Sequence, residues 1–135
     1  MNADSGTEDA VIGMLKKWSD SFSAKDLEAI LALFAPDADV TMLGSEDWEM
    51  GIGPDALRSV YEHLFSRGDS ATWEWKWHQV SSSGSTAWLL ATGVVHIASA
   101  AGATSGPYRL SSVFEKREGR WLWMQFHGSE PMVGK

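Results

Sequence analysis

The chain of 135 residues contains no cysteine. That excludes disulfides, thiolate metal sites and a cysteine nucleophile. Bases are scarce: 11 Lys and Arg stand against 18 Asp and Glu, giving a net charge of -7 and a pI near 4.9. Such a surface is wrong for the phosphate backbone of a nucleic acid and for anionic lipid. No stretch approaches the roughly 20 apolar residues of a membrane span. Residues 1–10 are acidic and polar and lack the basic and apolar regions of a signal peptide, so the expected location is the cytoplasm. There is no internal repeat, and the only biased tract, residues 81–85, is no longer than a turn. The 4 histidines show no H-x-H, no H-E-x-x-H and no i, i+4 pair, so neither a metal nor a cofactor is expected.

What the chain has in excess is tryptophan: 8 copies, against 5 Phe and 2 Tyr. Hydrophobic residues at 44% and charged ones at 21% describe a soluble globule rather than a disordered chain. The length suits a single domain over residues 1–135, with a core between residues 8 and 130.

Apolar periodicity orders the chain. Val11, Leu15, Trp18 and Phe22 make one stripe of a helix over 7–24, opened by Thr7, Glu8 and Asp9. Asp26 caps a second helix that buries Leu27, Ile30, Leu31 and Phe34 and stops at Pro36. Residues 39–43 and 48–50 read as a hairpin around the polar turn 44–47. Pro54 opens a third helix whose stripe is Ala56, Leu57, Val60, Tyr61, Leu64 and Phe65, ending near Gly68. From residue 71 the period falls to two: Trp73, Trp75 and Trp77 alternate with Glu74, Lys76 and His78. Further strands follow over 86–98, 108–116 and 121–129, the last pair joined at Glu118-Gly119. Helices followed by a run of strands predict an α+β fold with the helices on one face of a curved sheet.

This order of elements resembles the cystatin-like α+β cone of the NTF2-like superfamily. Residues 25–30 and 33–38, Lys-Asp-Leu-Glu-Ala-Ile and Leu-Phe-Ala-Pro-Asp-Ala, resemble its passage between the second helix and first strand. Trp48, Gly51, Pro54, Ala56 and Leu57 resemble the opening of its third helix. Ala87-Trp88, Arg109, Gly119-Arg120-Trp121, His127 and Ser129 are similar to the SnoaL-like group. The resemblance implies a cone of three N-terminal helices on a strongly curved, mixed or antiparallel sheet of about six strands. It also implies a deep apolar pocket on the concave face, and often a dimer through the convex face.

Within that resemblance, the acid–base residues of the related ketosteroid isomerases are replaced. The helix-1 tyrosine falls on Trp18, the aspartate base on Met42 and the second aspartate near Ser111, so ketosteroid-type isomerisation is not expected. The resemblance implies that Trp18, Phe22, Met42, Trp48, Trp88, Thr92, Arg109, Ser111, Met124 and Phe126 face the pocket. Arg109 is then its cation, held by an internal acid (Glu74, Glu49 or Asp47) or by the carboxylate or enolate of a ligand. Candidate bases are Glu46, Asp47, His96 and His127. Glu46 and Asp47 are either solvated turn acids or carboxylates folded over the cone mouth. His96 reads as an edge histidine. His127 sits with Trp121, Trp123 and Gln125 on the convex side, unless a bulge near Gly128 turns it inward. The indoles fill the core, line a pocket, or form a subunit interface.

Two functions follow as expectations. One is a SnoaL-like protein whose Trp-lined pocket takes a small organic ligand, carboxylate-bearing or polyketide- or steroid-like, with any catalysis an isomerase- or cyclase-type proton transfer. The other is a homodimeric assembly module with a cone filled by its own side chains. An open cavity of a few hundred Å³ separates the first from the second.

Overall fold

The structure, a computed structural model, describes residues 1–132, so positions 133–135 of the expected domain lie outside the described residues. The first helix, α1, runs Ser5–Ser23. Its cap is Asp4 and not Thr7: the Asp4 carboxylate accepts the Thr7 N–H at 2.7 Å, a stronger acceptor than a hydroxyl at the positive end of the helix. Val11, Met14, Leu15 and Trp18 are its buried stripe. The short α2, Leu27–Leu31, is capped as expected by Asp26, which accepts the Ala29 N–H at 3.1 Å. The α3 helix, Pro54–Ser66, starts behind Gly53, whose φ of 91° suits glycine.

The hairpin strands are β1, Thr41–Leu43, and β2, Met50–Ile52. The second arm thus begins two residues after the expected 48, leaving Trp48 and Glu49 in the turn. The long strands are β3 (Ser70–Ser83), β4 (Thr86–Ser99), β5 (Gly102–Arg117) and β6 (Arg120–Ser129). They form one mixed sheet in the order β2-β1-β6-β5-β4-β3, with β1 parallel to β6 and every other pair antiparallel. The Glu118-Gly119 turn joins β5 to β6 with both residues at positive φ, 52° and 76°, the geometry a tight hairpin requires.

Two irregularities decide which side chains meet the helices. In β3, Trp75 pairs with Gly93 and Trp77 with Thr92, so Lys76 is an extra residue. In β6, Trp123 pairs with Phe114 and Gln125 with Val113, so Met124 is extra. A bulge reverses the alternation beyond it. The three indoles of β3 are therefore split. Trp73 and Trp75 pack on the core, while Trp77 turns to the outer face and is 48% exposed. In β6, Trp121 and Trp123 point inward before the bulge and Phe126 after it.

The helix-facing surface of the sheet carries small side chains where α1 lies close: Ala87 and Ala91 are fully buried. Larger ones fill the rest: Leu110, Phe114, Trp123 and Phe126. These meet Trp18, Phe34, Leu57 and Tyr61 from the helices in one continuous core.

Candidate functional site

One end of this core is closed. Trp123 has no exposed surface, stacks on Phe34 at 5.7 Å, and donates its indole N–H to Ser112 Oγ at 2.9 Å. At the opposite end a cavity of about 100 Å³ remains. Its walls are Trp18, Phe22 and Lys25 of α1 and the segment that follows it. Tyr61, Leu64 and Arg67 line it from α3 and its end, Ala71 and Trp73 from β3, and Val95, Tyr108 and Phe126 from the inner sheet face. The β1–β2 turn covers it with Ser45, Glu46 and Glu49, beside Met42.

Aromatic rings interlock around the space. Trp73 meets Trp18 edge-on at 4.7 Å, Phe22 at 4.9 Å and Tyr108 at 5.7 Å. Trp18 donates to the Tyr61 hydroxyl at 3.0 Å, and Trp75 to Ser19 Oγ at 3.0 Å. The Trp73 indole nitrogen is buried and has no partner. Gly128 is what lets Tyr108 lie where it does, because a β-carbon there would strike the Tyr108 hydroxyl.

The charged groups sit at the mouth. Glu49 is 8% exposed. Its carboxylate lies against Gly44, where any β-carbon would collide with it, and accepts the Glu46 N–H at 3.3 Å. Burial, and secondarily the neighbouring Glu46 carboxylate, push its pKa up to about 7. Glu46 goes the other way. Arg67 donates to it and holds its carboxyl below the usual range. Arg67 also reaches Asp69 at 3.5 Å, and its backbone carbonyl accepts from Lys25 Nζ at 2.7 Å. Burial pushes the Tyr61 and Tyr108 hydroxyls well above the ordinary phenol range, so both stay protonated. The chemistry present is therefore one carboxyl that can change protonation near neutral pH, set beside two hydroxyl donors.

The expected pocket residues separate into two sets. Trp18, Phe22, Met42 and Phe126 line the cavity. Trp88, Thr92, Arg109 and Ser111 lie on the outer face, in the register Trp88↔Val113, Leu90↔Ser111 and Thr92↔Arg109. That corrects their expected inward placement: β5 alternates with Tyr108, Leu110, Ser112 and Phe114 buried and Arg109 exposed. A guanidinium facing water avoids the desolvation that an inward one would suffer. None of the expected acids is its partner: among the described residues Arg109 makes no salt bridge. Glu74 binds Lys76, at 2.7 Å. Trp48 stands outside the cavity, 40% exposed and edge-on to His63 at 4.5 Å, because the turn is longer than expected. Met124 is the bulged residue, with its sulfur 3.9 Å from Arg117.

Of the candidate bases, Glu46 is at the mouth. Asp47 is exposed in the turn, and His127 is exposed on the outer face opposite Ser111. His96 is on the outer face too, 2.7 Å from Ser105 Oγ. The sequence reading missed Tyr108 and Trp73 as cavity residues and weighed Glu49 only as a partner of Arg109. The period-two pattern of Tyr108, Leu110 and Phe114 carries the signal for the first. Among the described residues no cluster of three or more His, Asp or Glu is placed to hold a metal. Nor is any described helix long and apolar enough to cross a membrane.

Comparison with known proteins agrees with this architecture. The model of the SnoaL-like domain matches residues 11–133. No curated protein matches the sequence. Among solved structures, an NTF2-like superfamily protein from Salmonella enterica serovar Typhimurium superposes with a TM-score of 0.85 at 14% identity, covering 98% of this chain and 96% of its own. An NTF2-like family protein from Streptomyces avermitilis, whose name proposes a dehydratase, gives 0.85 at 16% identity, covering 96% and 100%. A protein of unknown function with a cystatin-like fold from Nostoc punctiforme gives 0.76 at 16% identity, covering 97% and 96%. At these identities the structures speak for the fold alone. With the sequence match spanning nearly the whole chain, the protein belongs to the SnoaL-like domain family.

Proposed function

We propose that this protein binds a small organic molecule in the cavity beneath the β1–β2 turn, and that Glu49 exchanges a proton with it. The observation that carries the proposal is the placement of Glu49: a nearly buried carboxyl, turned to an aromatic cavity, whose charged form is served by one backbone N–H. A carboxyl that titrates near pH 7 is suited to general acid–base work, and the protonated phenols beside it stabilise charge developing on an oxygen. The cavity, about 100 Å³, is smaller than the roughly 300–1,000 Å³ of common ligand sites. The ligand is therefore of monocyclic size, not steroid-like.

Native mass spectrometry of the purified protein tests this. A small-molecule adduct is expected on the wild type and is lost on Ala71→Phe, which fills the cavity. Release on raising the pH has a midpoint near 7 in the wild type and none there in Glu49→Gln. An adduct retained equally by Ala71→Phe, or no adduct on either protein, contradicts the reading.

A second reading concerns the other side of the sheet. Leu43, Met50, Ile52, Trp77, Trp88 and Leu90 all project from the outer face and are all at least 39% exposed. They form two apolar patches, Trp77, Trp88 and Leu90 on β3 and β4 and Leu43, Met50 and Ile52 at the other edge of the sheet, and the first is suited to pairing with a second copy of the chain. Light scattering at micromolar concentration is expected to give a dimer, and Trp88→Glu with Leu90→Lys a monomer. A monomeric wild type contradicts it.

A further inference from the structure

The hydrogen-bonding capacity of the cavity is one-sided. The Trp73 indole N–H has no acceptor. Tyr108, 7% exposed, makes no hydrogen bond through its hydroxyl among the described residues. Tyr61 accepts from Trp18, which leaves its own proton free. Three other indoles of the core are served within the chain, Trp18 by Tyr61, Trp75 by Ser19 and Trp123 by Ser112. Among the described residues Trp73 Nε1 is the one buried side-chain donor left without an acceptor, and it belongs to the cavity wall, where an unmet donor favours a ligand that accepts from it.

The charges around the mouth exclude one class of acceptor. Glu46, Glu49, Asp69 and Glu130 all line it, against Lys25 and Arg67. Arg67 is engaged by Glu46 and Asp69, and Lys25 by the Arg67 carbonyl. Arg109, the cation expected to receive a carboxylate, is on the outer face. The carboxyls lining the mouth outnumber its cations four to two, and of the two only Lys25 lacks a carboxylate partner among the described residues, so an anion entering here meets an excess of negative charge.

We propose that the site is specific for an uncharged monocyclic carbonyl compound, whose oxygen accepts from Tyr108 and Trp73. This rests on the binding reading above and deepens it. The ketone oxygen has two lone pairs for these two donors, and its ring occupies the cavity they line. Trp73 and Tyr108 set the specificity, while Glu49 stands at the mouth to move a proton.

The test is an NMR titration of wild type, Trp73→Phe and Tyr108→Phe with three probes of similar size: cyclohexanone, toluene and cyclohexanecarboxylate. Each variant keeps an aromatic ring and removes one donor. The wild type is expected to bind cyclohexanone more tightly than toluene, and the carboxylate most weakly at pH 8. Each variant weakens cyclohexanone by about threefold to tenfold, the worth of one hydrogen bond, and leaves toluene binding unchanged. The unchanged toluene affinity also reports that the cavity is intact. If toluene and cyclohexanone both bind but neither variant discriminates them, the carbonyl assignment is overturned and the binding reading stands. Tighter binding of the carboxylate than of the ketone overturns it equally. If no probe shifts the cavity resonances, the binding reading falls and this inference falls with it.

Discussion

Two tryptophans at opposite ends of the same core show how the molecule divides its labour. Trp123 and Trp73 both sit among aromatic rings under the helices. Trp123 is sealed, with its N–H on Ser112 Oγ at 2.9 Å. Trp73 is beside open space, with its N–H on nothing. The closed end matches the indole N–H of Trp123 with a hydroxyl of the chain and serves stability. The open end leaves donors unmet and a carboxyl desolvated, which burdens the fold and favours a ligand.

That contrast can be broken most violently at the closed end. Trp123→Ala removes a fully buried indole from the junction of Phe34, Phe114 and Phe126. It is expected to cost about 3–5 kcal/mol by urea denaturation. The next largest effect is at the open end and has the opposite sign. The folded-state pKa of Glu49 lies near 7, above the ordinary 4.5. The native state therefore holds its proton more tightly than the unfolded chain does. Stability falls as pH rises from about 4.5 to 7, and the penalty is complete above 7. Glu49→Gln is expected to stabilise the protein at pH 8, by up to about 3 kcal/mol, and to have little effect at pH 4. The smallest effects sharpen the comparison directly. Ser112→Ala orphans the Trp123 N–H and should cost about 1–2 kcal/mol. Trp73→Phe removes an N–H that has no partner, and its loss of stability should be smaller than that of Ser112→Ala by thermal melts.

The closed end was largely legible in the sequence. The stripe of Val11, Leu15 and Trp18, the Asp26 cap and the switch to period two all describe elements that exist, whereas α2 ends at Leu31, short of Phe34 and of the expected stop at Pro36. Those signals are local, and local periodicity survives packing. The open end was legible only in part, because strand parity is not local. Bulges at Lys76 and Met124 each reverse the alternation, and nothing in the residues themselves announces an extra one. In β4 both alternating sets are apolar, so hydropathy could not tell Trp88 and Leu90, facing out, from Leu89 and Ala91, facing in. In β5 the pattern did tell. Tyr108, Leu110 and Phe114 against Arg109 and Ser111 is a clean alternation, and it runs opposite to the placement the family resemblance implies. The hairpin is a third case: a turn two residues longer than expected carried Glu49 under the loop and Trp48 out of it.

The central claim is that the mouth of the cavity holds a desolvated, protonatable carboxyl, and carbon-13 NMR of the glutamate side-chain carboxyls tests it most directly. One resonance, missing in Glu49→Gln, is expected to titrate with a midpoint near pH 7. It should return to the ordinary range in Gly44→Ala, where a β-carbon displaces the Glu49 carboxylate from its place. A Glu49 resonance titrating near 4.5 in the wild type would contradict the account.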